Sequence, residues 1–445
     1  MTLNERAAAG KDRRTSVPRV SHAEWQAPLD RADPVALVEA ANSDRLPELV
    51  PIRHGRMAVS AFTFFRGTAE IMASDLSRTP RTGWDAQICG DCHLSNFGLY
   101  ATPERNLVFD INDFDETIRG PWEWDVKRLA TSFEIAGRDI GIDRKQRRQA
   151  TTRVVRSYRD RLWEYAAMSP LEIRYDHRNI DDVIAIAPDS TTRSNRESIA
   201  KKARKRSADQ LLPKLAERDG SGYRIVDNPP VVVHPDDPEW DVLVADFLDG
   251  YRSSLRPEIR LIFDRYHFAD AAMKVSGVGS VGTRCFIALL VSDDDQPLFL
   301  QAKESGPSSL ADFVDTESPD HQGERVVVGQ RIMQSASDMM LGWARSERGR
   351  DFYVRQLRDM KFSLDMETVT LKQLMVYAEY CGWVLARAHA SSADAAVIAG
   401  YLGRGTPFDE SVADFAVAYA DQNERDYSAF MDAIRDGRLS ATMEA

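Results

Sequence analysis

Residues Cys89–Asp125 read CGDCHLSNFGLYATPERNLVFDINDFDETIRGPWEWD. Asp91 and Asn96 stand five positions apart in a glycine-containing loop; a short apolar run follows at Asn106–Ile111, and Asp113-Phe114-Asp115 comes next. The pattern predicts loop, strand, loop. Phosphoryl transfer needs one carboxylate to take the nucleophile's proton and hard oxygen ligands to hold Mg²⁺ against phosphates. A loop Asp, an Asn shortly after it and an Asp beyond the next hairpin supply that set. Each of these residues alone would serve equally well as a turn cap. Joined, they point to chemistry.

Gly90-Asp91-Cys92-His93-Leu94-Ser95-Asn96 resembles the G-D-x-H-x-x-N catalytic loop of the aminoglycoside phosphotransferase and choline kinase group, within the protein-kinase-like fold. Asp113-Phe114-Asp115, then Arg119-Gly120-Pro121 and Asp125, resemble that group's D-F-[DE] metal segment, its R-G-P run and the helix Asp that follows. The resemblance implies Asp91 as catalytic base and Asn96 and Asp113 as Mg²⁺ ligands. It departs at Cys89, where the group usually has an architectural His. The same residues, Cys89-Gly90-Asp91-Cys92-His93, also match the C-x-x-C-H haem-attachment pattern or half of a zinc site. Only one copy occurs, and no second ligand pair follows at a suitable spacing.

A nucleotide-binding lobe should precede a catalytic loop of this kind. Here the candidate lies downstream, in Lys274-Val275-Ser276-Gly277-Val278-Gly279-Ser280-Val281-Gly282-Thr283. Glycines let a backbone close over phosphates and aim N–H groups at them, although a plain tight hairpin has the same pattern. The next strand, Pro297–Ala302, leads to Lys303, in the place of a strand lysine that meets phosphates in kinases. Gly277, Gly279, Ser280, Gly282 and Lys303 are therefore the expected nucleotide contacts. Glu324 is the expected carboxylate partner of Lys303, with Glu317 second. Tyr353–Lys361 reads as strand and hinge, and Cys381–Ala390 resembles the helix before the catalytic loop in the same group, with His389 a packed helix-end residue.

The motif order is catalytic loop, metal segment, glycine loop, strand lysine, hinge, pre-catalytic helix; joining the C-terminal part to residues near 50 restores the usual kinase order. The expectation is an α+β, two-lobed, protein-kinase-like fold, circularly permuted, with an inserted helical segment. Its parts are an N-terminal extension (1–50), a first part of the C-lobe (51–140), a helical insert (141–235), a nucleotide-binding segment (236–365) and a helical return (366–445). Arg56–Leu76 reads as one buried helix, Trp122–Ile140 and Asp143–Ala167 as helices with Arg and Lys on the wet face, Arg325–Trp343 as helical, and Leu371–Ala390 as a helix with one apolar face. The basic stretch Thr191–Glu217 suits a solvated helix in the insert. From about Arg53 through the last helices, the chain also resembles an uncharacterised bacterial family, domain of unknown function 2252.

Composition sets the outer bounds. The 445 residues carry a net charge of −11, with 43% hydrophobic residues and 18 Phe, 13 Tyr and 8 Trp, so wholesale disorder is excluded and more than one lobe is expected. An acidic balance disfavours a general nucleic-acid binder while leaving room for one Mg²⁺-neutralised nucleotide. Four cysteines are too few for a disulfide framework, no apolar run approaches membrane-spanning length, and the first twenty residues hold no signal-peptide core. The resulting expectation is a cytoplasmic, ATP- and Mg²⁺-dependent phosphotransferase acting on a small-molecule hydroxyl. Its alternatives are a pseudokinase-type nucleotide-binding regulator without turnover and a nucleotidyl transferase.

Overall fold

The computed structural model describes all residues except 186–189, 206–207, 221, 276, 317–318, 358–359, 364–365, 367–368 and 444–445. Its described strands are β1 (Asp85–Ile88), β2 (Phe97–Ala101), β3 (Leu107–Ile111), β4 (Ile118–Pro121), β5 (Ala216–Asp219), β6 (Gly222–Ile225), β7 (Val232–Val233), β8 (Tyr266–Lys274), β9 (Cys285–Ser292), β10 (Pro297–Glu304), β11 (Gly342–Arg345) and β12 (Asp351–Gln356). Six of them form one antiparallel sheet in the order β11-β12-β10-β9-β8-β7; β1–β4, β2–β3 and β5–β6 pair separately. Helices outweigh strands, and the chain is an α+β protein.

The two-residue period of β10 decides how the sheet is covered. Leu298, Leu300 and Ala302 face one way, and Phe299, Gln301 and Lys303 face the other. The first set packs with Ala271, Leu290 and Val354 against Val244, Leu248 and Tyr251 of the Trp240–Ser254 helix. The second set faces the rest of the chain. Its register partners lie on the same face: Cys285, Ile287 and Leu289 of β9, and Tyr353 and Arg355 of β12.

The larger core is helical. Phe62, Trp122, Val154, Val384, Phe408 and Phe415 belong to one buried cluster, so segments from both ends of the chain share it. The Arg144–Tyr165 helix, expected in the insert, contributes Val154, Tyr158 and Leu162 to this cluster. Residues 440–442 lie against the start of the Val50–Met57 helix: the Thr442 amide donates to Pro51 O at 2.8 Å, and His54 Nδ1 donates to Ser440 O at 2.7 Å. The N-terminal arm is docked through Arg31, which grips Asp75 at 2.8 Å and Asp426 at 2.6–2.8 Å.

Three expectations are corrected. Arg56–Leu76 is not one helix: Val50–Met57, Ala61–Arg66 and Ala69–Leu76 are separate, and Ser60 caps the second with a reciprocal bond to Thr63. The Arg325–Trp343 stretch is helical only to Met333, and Trp343 lies in β11. The Trp122–Asp139 helix has no wet face from Trp122 to Gly137, and Lys127 and Arg128 are buried. Periodicity assigned those cations to water; tertiary partners took them instead. Lys127 donates to Thr79 Oγ1 at 3.1 Å and sits 4.6 Å from the Phe415 ring, and burial lowers its pKa to about 7.

Candidate functional site

β1 pairs with β4 from Asp85↔Pro121 to Ile88↔Ile118, and the chain turns sharply after it. Gly90 makes the turn at φ 78°; a Cβ there would stand 2.4 Å from Glu116 O, so no other residue fits without displacing the backbone. Asp125, from the buried helix, accepts the Cys89 amide at 2.8 Å and the Gly90 amide at 3.0 Å. His389 Nε2 donates to the same carboxylate at 3.2 Å, and its Nδ1 accepts from Tyr158 at 2.9 Å. His389 is fully buried, so it braces the loop from behind.

Asp91 therefore leaves a rigid turn. Arg128 holds its carboxylate through Nε at 2.7 Å and Nη2 at 2.6 Å, with His93 Nε2 at 3.5 Å. Burial pushes the Asp91 carboxyl up, but Arg128 and His93 outweigh it and hold the group well below the usual carboxylate range. Asn96 spends an amide N–H on Asp91 O at 2.8 Å, which leaves its side-chain oxygen as a ligand atom. Its own carbonyl accepts the Asn112 amide at 2.7 Å, and the β2–β3 hairpin then delivers Asp113.

Asp113 and Asp115 meet the sheet. Lys303 forms an ion pair with Asp115, which also accepts Tyr353 Oη at 2.8 Å and Ser280 Oγ at 3.4 Å. Burial opposes the Lys303 charge, yet Asp113, Asp115 and Tyr353 together keep the ammonium well above its ordinary pKa. Asp113 is likewise pushed up by burial and pulled down further by Lys303, Arg355 and Lys361, to about 2. With Asp113 depressed, the folded chain binds fewer protons in acid than the unfolded chain. Stability from this cluster is full above about pH 4 and drains as pH falls toward the folded value. Asp113→Asn is expected to flatten the loss of unfolding free energy between pH 4 and 2, measured by denaturant titration; an unchanged slope would contradict it.

Asp91, Asn96, Asp113 and Asp115 line one cavity of about 510 Å³ together with Gly277, Gly279 and Ser280. The glycine turn is fixed from outside: Arg45 Nη1 donates to Val281 O at 2.6 Å, Arg56 Nη1 to Gly277 O at 2.6 Å, and the Leu46 amide to Gly282 O at 2.8 Å. Gly282, at φ 91°, lies against the Arg45 side chain rather than on the cavity wall. The structure does not bring Glu324 to Lys303. Glu324 is exposed in the first turn of the Gln322–Met333 helix, and the lysine's carboxylate is Asp115. Glu317 lies outside the described residues, as do residues 358 and 359 of the expected hinge. Further along, Phe362 pairs with Leu99 in both directions, at 2.7 and 2.9 Å.

Cys89 and Cys92 lie beneath the loop, with their Sγ atoms and one Asp125 oxygen within 4.8 Å of one another. Burial raises the pKa of both thiols, Cys92 to about 11. The cavity also receives residues the sequence reading missed. Arg45, from the turn after the Pro34–Ala40 helix, and Arg53, Arg66 and Glu70, from the three helices that follow, line it. An arginine closing the aromatic run AFTFFR was the available signal.

The insert covers part of the Lys303 face of the sheet. Leu211 of the Ala208–Leu215 helix, Ala216 of β5 and Ile225 of β6 form one buried cluster with Ala272, Ile287, Leu289, Phe299 and Leu357. Its apolar half is thus occupied by the chain itself, while the polar end at Gln301, Lys303 and Tyr353 adjoins the cavity residues.

Fold and site together define an α+β protein with a carboxylate-rich cavity between a glycine turn of its sheet and a loop of its helical body. Residues 45–433 match the family described as "uncharacterized protein conserved in bacteria (DUF2252)", and the chain belongs to it. No curated protein and no solved structure matches it. Among the described residues no helix is long and apolar enough to cross a membrane.

Proposed function

We propose that the protein is an ATP- and Mg²⁺-dependent phosphotransferase acting on the hydroxyl of a small molecule, built on a circularly permuted kinase-like fold. The observation that carries this reading is the meeting of two distant segments. The Asp91–Asn96–Asp113 loop set and the Gly277–Ser280 turn line one cavity, and Lys303 closes onto Asp115 beside it. Topology supports it as well. The glycine turn joins β8 to β9, the lysine is on β10, and the Gln322–Met333 helix follows before β11 and β12. The contact between residues 440–442 and Pro51 supports the permutation, because it closes the ring where the usual order would be continuous.

The donor set fits magnesium. Asp113 offers a carboxylate held ionised by neighbouring cations, and Asn96 offers a neutral oxygen; both are hard ligands. Bound there, the ion would neutralise phosphate charge. Lys303 and the backbone of the glycine turn would hold the nucleotide's phosphates. Asp91, kept as a carboxylate by Arg128, is the group able to accept a hydroxyl proton, and Arg128 fixes its direction. One observation favours a second reading, nucleotide binding without turnover: the insert occupies the apolar half of the Lys303 face, where a base would compete with Leu211 and Ile225. ATP turnover against a panel of hydroxyl acceptors, with Asp91→Asn as control, decides between them. Stabilisation by Mg-ATP with no transfer would sink the first reading.

A further inference from the structure

Arg66 ends the Ala61–Arg66 helix and lines the same cavity as the carboxylates. Asp91 and Asp113 both act on its guanidinium, against the cost of burial. Among the described residues no hydrogen bond or ion pair holds that guanidinium: its Nε is buried without a partner, and its near neighbour is the Phe62 ring, 5.9 Å away. A half-buried cation left in this condition is costly unless something else completes it.

The surrounding chain keeps it there. Arg128 Nη2 donates to Phe65 O at 2.8 Å while the same guanidinium holds Asp91, and Arg53 Nη2 donates to Gly67 O at 2.7 Å. The carbonyls on either side of Arg66 are thus clamped by buried arginines, one of which also fixes the proposed base. Gly279 packs so closely against this segment that a Cβ there would stand 3.3 Å from Arg66 O. Arg66 is therefore positioned against both the loop of Asp91 and the glycine turn. The cavity's other arginines are engaged: Arg45 bonds Ala41 O and Val281 O, and Arg53 bonds Asn42 Oδ1 and Gly67 O.

We propose that Arg66 is the anion-holding residue of this cavity, gripping the oxygens of a phosphoryl group between Asp91 and Asp113. The proposal rests on the phosphotransferase reading for the source of that group, but the anion site itself does not. A preorganised guanidinium is a strong partner for phosphate because its fork matches two oxygens at once.

The test uses the full chain and inorganic phosphate alone. Calorimetric titration should show phosphate binding to the wild type, weakened about tenfold or more in Arg66→Ala and partly restored in Arg66→Lys. In wild-type protein, phosphate should also slow phenylglyoxal modification of Arg66, read by peptide mass spectrometry, which needs no variant to fold. Equal phosphate binding by wild type and Arg66→Ala, no binding by wild type, or unprotected Arg66 would each overturn the proposal. A second arm compares Mg-ATP with Mg-ADP. A loss in Arg66→Ala confined to ATP assigns the anion to the donor's terminal phosphate, whereas loss of phosphate binding with both nucleotides unaffected assigns it to the acceptor. Either result keeps the anion site, and a chain that never turns over ATP but still needs Arg66 for phosphate separates this inference from the proposed function.

Discussion

Asp91→Asn is expected to lower phosphoryl transfer by roughly 10²–10⁴-fold while leaving the fold and Mg-ATP binding in place. The substitution is nearly isosteric, and an amide oxygen can still accept from Arg128, which reaches Asp91 through both Nε and Nη2. The Gly90 turn and the two amide bonds to Asp125 do not involve the Asp91 side chain, so the loop should keep its shape. What is lost is a group able to accept a proton. The informative comparison is therefore transfer rate against melting temperature in the same preparation. Transfer at the wild-type rate would remove Asp91 from the mechanism.

Arg387→Ala should be the most damaging change away from the cavity, costing about 3–5 kcal/mol of unfolding free energy. Arg387 and Asp110 are both 1% exposed, and Nη2 spans the two carboxylate oxygens at 3.0 and 2.9 Å. The same guanidinium nitrogen donates to Met333 O, and Asp110 also accepts the amide and hydroxyl of Ser335, each at 2.9 Å. One pair thus ties the Leu371–Ala390 helix, the end of the Gln322–Met333 helix and β3 together, three residues before Asp113. Truncation leaves a buried carboxylate without its counter-ion and frees the strand that leads to Asp113. Chemical denaturation measures the loss; a change under about 1 kcal/mol would show that the pair is dispensable.

These two residues also show what was legible in the sequence. Asp91, Asn96 and Asp113 lie within 23 consecutive positions, so local spacing was enough to group them, and they do line one cavity. Lys303 is singled out by its strand and the glycine turn before it. Its partner is not legible there, because Asp115 lies 188 residues away and only the tertiary fold brings it to the lysine, whereas local order points to Glu324 on the next helix. Arg128 and Lys127 were misplaced for a related reason. A helical period assigns cations to water by default, and nothing local reveals that a loop aspartate or a threonine will receive them. Arg66 escaped notice because its significance depends on helices near residue 60 packing beneath a turn near residue 279. The basic, helix-prone composition of Thr191–Glu217 points to a solvated helix, whereas apolar positions of the insert, Leu211 and Ile225, pack it against the sheet.

The phosphotransferase account is tested most directly by a crystal structure with Mn²⁺ and a non-hydrolysable ATP analogue, using anomalous scattering to place the metal. The account predicts a Mn²⁺ peak ligated by Asn96 and Asp113, with the phosphates between the Gly277–Ser280 turn and Lys303. Nucleotide bound away from this cavity, or a metal held by neither residue, would contradict it.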